Sequence, residues 1–210
     1  MQWTLVIPLK PLVRAKSRLA PAAGDLRPDL ALAFAQDTVA AARACPAVRD
    51  VVVVTDDALA GRELAALGAR IVADTPGAGL NAALAHGAAQ VRSVRPAAAV
   101  AALNADLPAL RPAELAGVLA AAAAFPRAFL PDAAGIGTTF LSAAPGADLL
   151  PEFGTDSRAR HRASGAVELA PGEVGSVRQD VDTGEDLRTA LGMGVGPYTA
   201  RAAAGLLSVD

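Results

Sequence analysis

The chain has 210 residues, 53% of them hydrophobic, and a formal net charge of −2. That length suits one domain with a sizeable core, and much of the apolar content is alanine, so the core is read as helix-rich and light in aromatics. No basic stripe marks it as a nucleic-acid binder, and no run of 18 apolar residues is present to span a bilayer.

In chain order, Leu5-Val6-Ile7 ends at Pro8 and reads as a buried strand. Lys10 to Leu19 is polar and basic, and reads as a loop. Asp29 to Ala44 repeats its apolar residues at helical spacing and stops at Cys45-Pro46. Val51 to Val54 is a second buried strand. A helix over Ala58 to Leu67 follows, with Gly68 where a C-cap belongs. Ile71-Val72 is a short third strand, Gly79 to Val91 a helix, and Ala98 to Leu103 a fourth strand ending at Asn104-Ala105-Asp106. Pro112 to Ala124 is a helix with proline in its first turn. Residues 126–190 read as shorter strands and loops that complete a pocket, and the tail, 191–210, as glycines followed by a short helical stretch.

Strands alternating with helices predict an α/β fold, a Rossmann-like, mostly parallel sheet with helices on both faces. The whole of 1–210 is read as one domain in two parts, 1–125 and 126–190, the second completing the pocket. Ligands in such sheets bind at the carboxyl ends of the strands. The lone cysteine, Cys45, allows no disulfide within the chain, and no signal-like segment opens the sequence, so a reduced, cytoplasmic setting is expected.

Six constellations carry chemistry. Pro8-Leu9-Lys10 and Lys16-Ser17-Arg18 gather both lysines of the chain on one loop, as exposed cations suited to a triphosphate. The spacing of a Walker A loop is absent. Gly79-Leu80-Asn81 opens a helix, where free N–H groups and the Asn81 amide suit a nucleotide. Asp106 in Asn104-Ala105-Asp106-Leu107-Pro108 follows a buried strand and is a natural Mg²⁺ ligand. Gly135 to Thr139 offers a free backbone and two hydroxyls. Gly154 and Ser157 lie at a second predicted helix start, with His161 one turn further on. Asp180-Val181-Asp182 reads as a strand whose alternation puts two carboxylates on one face, a pair that needs a cation. Glu185 and Asp186 read as a helix cap.

Together, Ile7 to Lys10, Lys16 to Leu19, Gly79-Leu80-Asn81, Ala105 to Pro108, Gly137-Thr138-Thr139, Phe153-Gly154 with Ser157 and His161, and Asp180 to Thr183 resemble the guanylyltransferases of coenzyme F-420 biosynthesis, which act on 2-phospho-L-lactate or phosphoenolpyruvate. The resemblance spans roughly residues 4 to 190. It implies a glycosyltransferase-A type fold, a GTP donor, Mg²⁺ held by Asp106 and Asp182, and catalytic roles for these two and Lys16. Pro8, Lys10, Lys16, Arg18, Gly79 and Asn81 then face the nucleotide. Thr139, Gly154 and Ser157 contact the acceptor, a small phosphorylated three-carbon acid. One departure is Asn104, which stands where many relatives of this fold carry the first aspartate of a D-x-D pair. The Ala- and Arg-rich composition resembles that of GC-rich actinobacterial proteins, which favours phosphoenolpyruvate. Other readings are transfer to a molybdopterin or a sugar phosphate, and a nucleotide-binding module without catalysis.

Overall fold

The computed structural model describes residues 1–207, with side chains described through residue 204. The last three residues of the tail, 208–210, lie outside the described residues. The strands are β1 (Trp3–Pro8), β2 (Val48–Val54), β3 (Arg70–Val72), β4 (Ala99–Leu103), β5 (Arg127–Pro131), β6 (Thr138–Ala143) and β7 (Val167–Glu168). The helices are α1 (Ala20–Ala23), α2 (Arg27–Ala44), α3 (Ala58–Ala66), α4 (Leu80–Val94), α5 (Pro112–Ala122), α6 (Ser157–Ala163), α7 (Gly175–Arg178), α8 (Gly184–Met193) and α9 (Pro197–Leu207).

The strands form one sheet in the order β3-β2-β1-β4-β6-β5-β7. β1 is parallel to β2 and β4, and β2 is parallel to β3. β6 runs antiparallel between β4 and β5. The fold is therefore the mixed, mostly parallel α/β architecture that the alternating pattern predicts.

Alternation along the central strands sorts the core onto two faces. Leu5, Ile7, Val51 and Val53 pack with residues of α2, α3 and α5. Val6, Val52 and Val54 face the other way, onto Ala83, Leu84, Ala88 and Val91 of α4. A third cluster joins Leu19, Leu30, Phe34, Val181 and Leu187 beneath the carboxyl ends of the strands. No helix among the described residues is long and apolar enough to cross a membrane.

Two segments differ from expectation. The basic loop after β1 is not open chain: it winds through two 3-10 turns, Leu12–Arg14 and Ser17–Leu19, into α1. The segment around Asp180 to Asp182 is not a strand either. It lies between α7 and α8, and the Val181 N–H bonds the Asp106 carbonyl at 3.1 Å while its side chain is buried. A valine between two aspartates imitates strand alternation, but here it is a single tether.

Candidate functional site

β1 and β4 are adjacent and parallel, so the loops after Pro8 and after Leu103 meet at one end of the sheet. There the Lys16 ammonium donates to Asp106 Oδ2 and, at 2.9 Å, to Asp182 Oδ1. Arg18 pairs with Asp182 from the outside. Three segments far apart in sequence thus converge as the sequence predicts: Lys16, Asp106 and Asp182 are one cluster.

Lys16 is not the exposed cation expected of it. Its side chain is 13% exposed and that of Asp106 is 15%, against 70% for Arg18. Lys16 also sits in the left-handed region, with φ 55° and ψ 41°, which is uncommon for a residue other than glycine. The tight turn it opens aims the ammonium inward. Burial opposes the charge on Lys16, but the carboxylates of Asp106 and Asp182 outweigh it and raise the ammonium above its usual range. Burial likewise pushes the Asp182 carboxyl up, and Lys16 and Arg18 reverse this, leaving it below the usual carboxylate range. Lys10 is exposed and adds to that pull.

Asp182 is held from behind. Asp186 accepts from the backbone N–H groups of Asp182, at 3.1 Å, and Thr183, at 2.8 Å, while the Thr183 hydroxyl accepts from the Asp186 N–H. This capping box opens α8 and confirms the structural role read for Asp186. Asp180 is the third carboxyl. It is pushed up to about 8, first by burial and then by the neighbouring charges of Asp106 and Asp182. Asn104 Nδ2 lies 3.5 Å from it.

Among the described residues no group of three or more His, Cys, Asp or Glu side chains stands ready around a metal ion. Two observations nonetheless fit one. Asp106 Oδ1 is buried without a hydrogen-bond partner, a costly state for a carboxylate oxygen. The donors are also hard carboxylate oxygens, the set that Mg²⁺ and Mn²⁺ take.

The predicted acceptor residues come from two other elements. The β5–β6 register shifts between Leu130 and Pro131, so Thr139 faces no partner on β5. Such a bulge re-aims a side chain. The Thr139 hydroxyl is buried and has no hydrogen-bond partner, and the Thr139 carbonyl accepts from the Asn104 N–H at 3.0 Å. The turn before it is closed by Asp132, which accepts from the N–H groups of Ile136 at 3.0 Å and Gly137 at 2.8 Å. Sequence reasoning missed Asp132, although an aspartate before a Gly-x-Gly turn is a recognisable signal. Ser157 is buried at the start of α6, and its N–H bonds the Gly154 carbonyl. Gly154 has φ 112°, a conformation that favours glycine.

Two residues have occupations the sequence did not reveal. The Asn81 amide donates to the Phe153 carbonyl at 3.1 Å and accepts the Phe153 N–H at 2.8 Å. Gly79, two residues before it, is exposed with φ 94°. His161 is fully buried. Its Nε2 accepts the Glu152 N–H at 2.9 Å, so Nδ1 carries the proton and donates to the Thr138 hydroxyl at 3.0 Å. Phe153 meets the ring edge-on, 5.0 Å between centroids. Burial first, then the charges of Arg127 and Arg160, bring its pKa to about 4. His161 is a neutral structural strut.

A family model of the MobA-like NTP transferase domain matches residues 32–166. The phosphoenolpyruvate guanylyltransferase of Streptomyces avermitilis is 79% identical over 208 residues, 99% of this chain and 96% of that one. A nucleotidyl transferase from Methanothermobacter superposes with a TM-score of 0.59 at 18% identity, covering 91% of this chain and 97% of that one. A Mycobacterium tuberculosis H37Rv protein in complex with manganese does so with a TM-score of 0.57 at 23% identity, covering 91% and 99%. At these identities the likeness to the two solved structures establishes the fold.

Proposed function

We propose that this chain, which belongs to the MobA-like NTP transferase domain family and within it to the phosphoenolpyruvate guanylyltransferases, transfers GMP from GTP to phosphoenolpyruvate and releases diphosphate, in the making of coenzyme F-420. The observation that carries the reading is the cluster of Lys16, Asp106 and Asp182 at the carboxyl ends of β1 and β4, with one buried oxygen of Asp106 left without a partner.

Lys10, Lys16 and Arg18, with the backbone at Pro8 and Gly79, face the triphosphate. Asp106 and Asp182 would hold a divalent cation, which we take to be Mg²⁺. Once bound, that ion would offset the negative charge that builds up on the phosphates. Thr139 and Ser157 donate their hydroxyls to the acceptor carboxylate, and Gly154 lets the acceptor reach the backbone.

An oxygen of the acceptor phosphate attacks the α-phosphorus of GTP. The bond from that phosphorus to the β-phosphate bridging oxygen breaks, and diphosphate leaves with its electrons. The nucleophile is already an anion, so no side chain needs to remove a proton. The protein contributes position and charge: fixed cations on the leaving diphosphate, and fixed donors on the acceptor.

The test offers GTP and Mg²⁺ with equal concentrations of phosphoenolpyruvate and 2-phospho-L-lactate and follows diphosphate release. Phosphoenolpyruvate is expected to be preferred, and Asp106→Asn and Asp182→Asn are each expected to lose on the order of 100-fold or more in kcat. A preference for 2-phospho-L-lactate overturns the acceptor. Release with neither acid, or more than half of wild-type activity in both variants, overturns the reading as a whole.

A further inference from the structure

The segment from Leu150 to Asp156 has no regular secondary structure and holds three residues at positive φ. Leu150 has φ 46°, Gly154 φ 112° and Asp156 φ 53°. Two of these are non-glycine residues in the left-handed region, a conformation that persists only where surrounding contacts over-determine it. The contacts that do so meet on two consecutive residues. Phe153 is gripped by the Asn81 amide at both its N–H and its carbonyl. The same carbonyl accepts from Arg160 at 2.9 Å. Glu152 is held by His161, whose other nitrogen reaches Thr138, the neighbour of Thr139.

Asn81 is on the first turn of α4, beside the nucleotide-facing Gly79. Its amide meets a peptide group as a second peptide would in a sheet, with one bond in each direction. An amide so engaged keeps one N–H and one lone pair of its oxygen for any other partner. Both of its bonds in the structure run to the backbone of Phe153. What it fixes is the residue immediately before Gly154.

We infer that Asn81 is a positioning residue for the acceptor: its two bonds to Phe153 hold Gly154 and Ser157 at the distance from Thr139 that the acceptor acid requires. This rests on the reading that Thr139, Gly154 and Ser157 receive the acceptor. The mechanism is indirect, since Asn81 acts through the backbone of Phe153 and not on the reacting atoms.

The test is steady-state kinetics of Asn81→Asp with each substrate varied in turn, beside Ser157→Ala and wild type. Asparagine and aspartate have the same shape, so packing is retained, and the melting temperature checks this. The aspartate keeps an acceptor for the Phe153 N–H but sets a carboxylate against the Phe153 carbonyl. The acceptor KM is expected to rise at least tenfold while the GTP KM stays within twofold. Asn81→Ser, which removes the amide without adding charge, is expected to show the same split. A rise in the GTP KM with an unchanged acceptor KM would assign Asn81 to the nucleotide and overturn the inference, as would no change in either constant or an equal rise in both. Ser157→Ala separates the two readings. If it leaves the acceptor KM unchanged, the acceptor lies elsewhere and the underlying reading fails; if it raises that KM while Asn81→Asp does not, only the role of Asn81 fails.

Discussion

His161 shows how much a single side chain can conceal in sequence. A histidine one turn after a serine at a predicted helix start can donate to a phosphate, but a lone histidine is more often structural, as His161 is. Burial decides it, and burial is not a property of the residue. Its folded pKa of about 4 lies below the value near 6.5 of an unfolded chain. The unfolded state therefore binds the extra proton between these values. Stability from the neutral ring is fully present above pH 6.5 and is lost as pH falls toward 4, by about 3 kcal/mol in all. Urea midpoints for wild type and His161→Gln, measured at steps between pH 7 and 4, are expected to converge as the pH drops. Parallel curves would mean that His161 does not titrate in this range. The cluster of Lys16, Asp106 and Asp182 was more legible, because opposite charges beside predicted strand ends have few other reasons to be there. The bonds from Asn81 to Phe153 were not legible, because an amide offers the same donor and acceptor to a distant peptide as to a nucleotide.

The elements of the first half were legible because β-branched runs and helical spacing alternate there without interruption. β1, β2, β4 and the helices between them fall within a few residues of where the pattern puts them. The order of the far edge was not legible: whether β6 enters parallel or antiparallel depends on its connection to β5, and no residue in Thr138–Ala143 encodes that direction. The bulge that turns Thr139 inward is likewise a property of the pair of strands. At this scale Gly87 makes a sharp prediction. It is buried in the middle of α4, where alanine would ordinarily stabilise a helix by about 1 kcal/mol. A Cβ there would lie 2.6 Å from Val6 Cγ1 and 2.7 Å from Val54 Cγ2, both on central strands. Overpacking of that kind costs about 1–3 kcal/mol. Gly87→Ala is therefore expected to lower stability despite its better propensity, and a raised melting temperature would show that α4 can lift off the sheet freely.

Across the whole molecule, the sheet is flanked on both faces, and the third apolar cluster underlies the site and joins α1, α2, α8 and α9. That cluster depends on a clasp. Asp37 of α2 is 4% exposed and accepts from the Tyr198 N–H at 3.1 Å and the Thr199 N–H at 2.7 Å, at the start of α9. Gly196 has no side chain because a Cβ would lie 2.2 Å from Asp37 Oδ1. Asp37→Ala leaves two backbone donors at this helix start without their partner and is expected to cost about 1–3 kcal/mol. Hydrogen exchange should report the loss first at Tyr198 and Thr199; equal acceleration throughout the chain would show that α9 is not a separate unit.

The clasp also sets an order of events in time. Tyr198 lies 161 residues beyond Asp37. While the chain is being made, β1, β2 and β4 can pair long before the residues that cap α9 have left the ribosome. During that interval Asp37 lacks its permanent partners, and water must serve in their place. The apolar residues Leu30 and Phe34 on the same helix also wait for Ala203 to cover them. Docking of α9 thus comes after the pairing of β1, β2 and β4: a nascent chain stalled before it exposes an apolar patch beside the candidate site, the kind of surface that chaperones grip.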